Sequence, residues 1–138
     1  MHVSCRIIIV AGVTALGAAS QASRAQQTIN ATLLSSSIQL KTHNVKSGRV
    51  TLDVKNAADN NMEHELVVLK TDLADGALPV SHGTVTERKL RKIGEVEDIE
   101  PGKSKRVSIK LTPGHYVLIC NKPGHYESGM HTALVVAP

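Results

Sequence analysis

Short runs rich in Val, Ile, Leu and Thr recur between turn residues along most of the chain, a pattern that points to an all-β fold. The segment 49–55 shows it most clearly. Val50, Leu52 and Val54 alternate with Thr51, Asp53 and Lys55, as in a strand with one buried face. Comparable runs lie at 28–34, 37–40, 64–70, 105–111, 115–120 and 132–136, with a further strand expected near 93–96. These predict a β-sandwich of about eight strands. Leu66-Val67-Val68-Leu69 and Val117-Leu118-Ile119 have apolar residues on both faces, so both are expected to be central strands. Between Thr71 and Glu100 the periodicity is lost, and 86–92 reads as a short helix capped by Thr86. Phe and Trp are absent and Tyr116 and Tyr126 are the only aromatic residues, so the core must be built from aliphatic side chains. Tyr116 is expected to pack in that core with its hydroxyl on a backbone partner.

The first 25 residues carry a different signal. Arg6 precedes an apolar or small run over 7–19, and Ser23 and Ala25 stand at −3 and −1 of a cleavage site, the arrangement of a secretory leader. An uncleaved anchor is the alternative, since the apolar run can be extended toward the ~20 residues of a membrane span. Removing residues 1–25 from 138 leaves 113, one domain over 26–138. Arg6 and Arg24 go with the leader. That leaves 14 basic residues against 12 acidic, a net charge of +2. The length excludes a second catalytic domain, and the scarcity of aromatic rings argues against a nucleic-acid reader. Cys5 precedes the apolar run, so it cannot be the lipidated first residue of a mature chain. Cys120 is then the one cysteine of an exported, periplasmic-type protein, where an unpaired thiol is a liability unless something caps or uses it.

What could use it follows at once in the sequence. Cys120 ends an apolar run, His125 lies five residues on and Met130 five beyond that, with Pro123-Gly124 and Gly129 letting the chain fold back. Far upstream, His64 opens an apolar run after a turn-rich stretch. Two imidazoles, one thiolate and a weak thioether make the ligand set of a blue-copper site, in which soft sulfur suits Cu(I) and imidazole suits both oxidation states.

Cys-x4-His-x4-Met enclosing Pro-Gly-His-Tyr, with the distant Glu-His-Glu-Leu-Val-Val, resembles the cupredoxins, and their rusticyanin, auracyanin and sulfocyanin branch more than plastocyanin. The resemblance implies a Greek-key sandwich with one type 1 copper ion at one end. It also implies a soluble one-electron carrier rather than an enzyme, with His64, Cys120, His125 and Met130 as ligands. Glu65 stands where such proteins often carry Asn or Ser, and its backbone N–H is expected to donate to the Cys120 sulfur.

Each ligand has a plainer reading. In that reading Cys120 is a small buried hydrophobe, His125 a turn residue, Met130 core packing and His64 the start of a strand, and for each of the four the ligand reading is preferred. His43, His82 and His115 are rivals for the upstream position, and His131 should face away by strand alternation. Copper chaperoning or storage would use the same ligands. Zinc would accept three of them but not the thioether, and a thiol hydrolase would need a base and an oxyanion site for which nothing else speaks. A carrier is expected to meet redox partners such as cytochromes or oxidases near His125, over a small patch of Pro123, Gly124 and Tyr126, as a monomer. The basic cluster over 88–92 reads as solvated surface.

Overall fold

The structure is a computed structural model and describes residues 26–138; the expected leader lies outside the described residues. In chain order the strands are β1 (Gln27–Leu33), β2 (Ile38–Leu40), β3 (Asn44–Lys46), β4 (Gly48–Asn56), β5 (His64–Lys70), β6 (Val80–Ser81), β7 (Thr84–Val85), β8 (Arg91–Ile99), β9 (Ser104–Leu111), β10 (Gly114–Ile119) and β11 (His131–Ala137). A four-stranded sheet, β2-β1-β4-β9, faces a five-stranded sheet, β3-β11-β10-β5-β8, and β6 and β7 form a separate ribbon. Among the described residues no helix is long and apolar enough to cross a membrane.

Every expected run is a strand, and the surplus over eight is β3 and the ribbon. β3 has a single buried apolar residue, Val45, and exists because it pairs in parallel with the end of β11. The ribbon is closed by His82 and Gly83, both in the left-handed region (φ 53° and 79°), which is the backbone of a two-residue hairpin turn. The helix expected over 86–92 is only a single 3-10 turn, Glu87–Lys89, and Thr86 makes no side-chain capping bond. Pairing wins there: Arg91 and Lys92 are drawn into the ladder opposite Lys70 and Leu69 of β5.

Alternation places Val50, Leu52 and Val54 of β4 against Leu66 and Val68 of β5 and Tyr116 and Leu118 of β10 in the main core. The Tyr116 hydroxyl donates to Thr112 O at 2.8 Å and accepts from Thr112 N–H at 3.1 Å, as expected. The outer faces of β5 and β10 are buried too. Val67, Leu69, Val117 and Ile119 lie beneath Leu78, Val85 and Tyr126, so the segment without periodicity is a flap over the larger sheet. The antiparallel register of β5 and β10, with Ile119 opposite Val67 and Tyr116 opposite Lys70, brings the start of β5 and the end of β10 to one end of the sandwich.

Candidate metal centre

His64 is the first residue of β5, and Cys120 follows the last residue of β10. His125 and Met130 belong to the return toward β11, whose turns are closed by backbone bonds: His125 N–H to Lys122 O (3.0 Å), Met130 N–H to His125 O (3.1 Å) and Cys120 N–H to Met130 O (3.1 Å). Gly124 and Gly129 take φ of 78° and 115°, which a side chain would strain. These ties set Cys120, His125 and Met130 around one small loop. Upstream, Asn56 holds the approach to His64. Its fully buried amide donates to Met62 O and Ile99 O, both at 2.8 Å, and accepts from Ala58 N–H at 3.1 Å. Sequence reasoning passed over Asn56, whose only signal is a polar residue at a buried-phase position after Val50, Leu52 and Val54.

The result is a compact donor cluster. His64 Nδ1 lies 3.1 Å from His125 Nδ1, and the Cys120 Sγ lies 3.6 Å and 3.3 Å from these nitrogens. His64 and Cys120 are fully buried and His125 is 9% exposed. A cation about 2.0 Å from each nitrogen and about 2.3 Å from the sulfur, with angles of roughly 100–120°, would hold such donors about 3.1–3.7 Å apart. The observed spacings fall in that range. Without a cation, three lone-pair-bearing atoms converge with few protons to share among them.

The electrostatics point the same way. Burial lowers the pKa of His64, helped by His125 and Lys122, and burial followed by Lys122 lowers that of His125. Both rings are therefore neutral donors at pH 7. Burial raises the Cys120 thiol, partly offset by backbone N–H bonds from Glu65 and Lys122, so at neutral pH it keeps its proton unless a cation takes the proton's place and the proton passes to solvent. The Glu65 N–H reaches Sγ at 3.5 Å, as the sequence led us to expect. Lys122 is itself clamped by Glu63 (2.8 Å) and Asp98 (3.2 Å), which fastens the Cys120–His125 turn to the segment before β5 and to β8. His64 Nε2 is buried with no protein partner.

Met130 is fully buried in the same core cluster as Cys120. The rival histidines lie outside the cluster. His43 bonds Ala133 O, His82 bonds the Ser81 hydroxyl, His115 bonds Thr71 O, and His131 pairs with Asp75 at 3.0 Å. One expectation about the surface fails. Tyr126 is 5% exposed, its hydroxyl donating to Asp75 O and accepting from Leu78 N–H, so it pins the flap and leaves Pro123 and Gly124 as the open surface beside His125.

A two-sheet sandwich with a buried Cys-His-His cluster at one end defines a class, and the sequence comparison agrees. The chain belongs to the cupredoxin-like domain family, whose model matches residues 7–136. Among solved structures it is similar to dithionite-reduced auracyanin from Roseiflexus castenholzii (24% identity, 83% of this chain and 99% of that one, TM-score 0.62). Auracyanin A, a "blue" copper protein from Chloroflexus aurantiacus, aligns at 20% identity over 81% of this chain and 99% of its own, with a TM-score of 0.56. Rusticyanin from Thiobacillus ferrooxidans aligns at 17% identity over 81% and 79%, with a TM-score of 0.54. At these identities the likeness is one of fold. No curated protein sequence matches the chain.

Proposed function

We propose that this protein is a type 1 copper protein that carries single electrons, in which His64, Cys120 and His125 would be the strong ligands and Met130 a weak one. The observation that carries the reading is the convergence of two neutral imidazoles and one thiol within 3.1–3.6 Å in a site almost closed to water. Bound there, copper would supply the one-electron couple between Cu(I) and Cu(II). The chain's own part is to fix the donors. β5 holds His64, β10 delivers Cys120, the closed turn presents His125, and the Glu65 N–H supports the thiolate. No bond-making chemistry is part of this reading.

A chaperone or store would use the same donors but must release its ion, and burial of His64 and Cys120 favours retention. The protein is read as exported, with residues 1–25 as a cleaved leader. Its partners are read as redox proteins that dock transiently beside His125, where Pro123 and Gly124 are exposed. The test is to load the protein with copper, record its voltammogram, and challenge it with an excess of a Cu(I) chelator. A reversible one-electron wave with slow copper loss supports a carrier. Rapid surrender of the ion to the chelator supports the chaperone reading instead.

A further inference from the structure

Asn121 follows Cys120 directly and has no place in the ligand set, yet its side chain is fully engaged. Its Oδ1 accepts Val85 N–H at 2.7 Å, and its Nδ2 donates to Val85 O at 3.1 Å and to Glu87 Oε1 at 2.8 Å. The amide group thus pairs with both backbone atoms of Val85, as a neighbouring strand's peptide would, and spends one N–H hydrogen there and the other on Glu87. Three residues further on, Gly124 N–H donates to Gly83 O at 2.8 Å. The β6–β7 ribbon is therefore stitched to the Cys120–His125 turn at its hairpin turn, through Gly83, and at the end of β7, through Val85. Val85 is 3% exposed and packs with Ile119 and Tyr126 in the outer core, so the ribbon is itself anchored.

We propose that Asn121 is a positioning residue for the metal site: by clasping Val85 it keeps the Cys120–His125 turn closed, so that the thiol and the imidazole keep their spacing before any metal arrives. The ion pairs of Lys122 tie the turn to Glu63 and Asp98, and among the described residues no side chain of the turn other than Asn121 hydrogen-bonds the ribbon. Pro123 is exposed, and Gly124 holds the turn only by backbone bonds. A loop ordered in advance does not have to be ordered at the moment of binding, which tightens metal retention without adding a ligand. This deepens the metal-site reading and rests on it for the role of the closed turn.

The test compares wild type with Asn121→Ala, the near-isosteric Asn121→Asp, and a control, Lys92→Met, which removes the Lys92–Glu87 ion pair but none of the Asn121 bonds. In metal-free protein under native conditions, the rate at which a small aromatic disulfide modifies Cys120 reads the opening of the turn, because the thiol is fully buried when it is closed. Both Asn121 variants are expected to react at least about tenfold faster, equivalent to ~1.4 kcal/mol of easier opening, with the control within about twofold of wild type on the same scale. After copper loading, they are also expected to release copper to a chelator faster by a similar factor. The proposal is overturned if both variants react at the wild-type rate. It is equally overturned if their acceleration only matches the change in their global unfolding equilibrium, the mark of a general loss of stability. Because labelling uses metal-free protein, it judges the clasp whether or not the copper reading holds.

Discussion

His64 and His125 are 61 positions apart in the chain, yet their Nδ1 atoms are 3.1 Å from one another and their rings are inclined at 56°. At that distance both rings cannot carry a proton on the facing nitrogens. Burial holds both rings neutral, aided by His125 and Lys122 at His64 and by Lys122 at His125, and a bound cation would relieve the remaining conflict of lone pairs.

The first expected consequence concerns pH and the metal-free protein. The folded-state pKa values of His64 and His125 lie below the ordinary 6.5, so the unfolded chain binds more protons as pH falls through that value, and stability declines below about pH 6.5. The Cys120 thiol lies above the ordinary 9.0, so the unfolded chain ionises first and this group's contribution is lost as pH rises past about 9. These three groups together predict a stability plateau between the two limits, which chemical denaturation at a series of pH values will show. At pH 7 metal uptake should release about one proton, from the thiol, which calorimetry in buffers of different ionisation enthalpy measures.

Met130 should tune the metal rather than hold it. Met130→Leu keeps the buried volume while removing the thioether, so the variant is expected to retain copper and show a raised reduction potential. An unchanged potential in voltammetry would reduce Met130 to core packing.

Two substitutions separate the fold from the site. Leu118→Ala opens a cavity between the sheets and should lower stability by about 2–5 kcal/mol. Tyr116→Phe loses the bonds to Thr112 and should cost roughly 1–2 kcal/mol. Thermal unfolding reads both, and Tyr116→Phe should leave the copper spectrum of the loaded protein unchanged, because the lost hydroxyl bonds Thr112, before the start of β10 and away from Cys120.

The proposed docking beside His125 gives a further comparison. Gly124 is left-handed, so the exposed neighbour Pro123 is the better place for a charge. Pro123→Glu is expected to slow bimolecular electron exchange several-fold without bleaching the protein, whereas Lys89→Glu should alter mainly the salt dependence. A large loss of rate in Lys89→Glu alone would place the encounter surface on the basic cluster.

Much of this was legible in the sequence because it is local. The alternation through 49–55, the apolar runs at 66–69 and 117–119, and the spacing from Cys120 to Met130 each report a short-range pattern. What was not legible depends on contacts distant in the chain. Val45 becomes part of a strand only through β11, and Arg91 and Lys92 leave their helical pattern for the ladder with β5. Tyr126 is taken off the surface by Asp75 and Leu78, 51 and 48 positions away. Asn56 and Asn121 read as ordinary polar residues until the groups they clasp are seen.

The central claim is that Cys120 binds copper as a thiolate between His64 and His125. Its most direct test is the visible and electron paramagnetic resonance spectrum of the Cu(II)-loaded protein beside that of Cys120→Ser. The account predicts an intense thiolate-to-copper charge-transfer band with narrow hyperfine splitting in the wild type, lost in Cys120→Ser while the β-sheet circular dichroism stays the same. A wild type that binds Cu(II) without that band, or a Cys120→Ser variant that keeps it, would contradict the account.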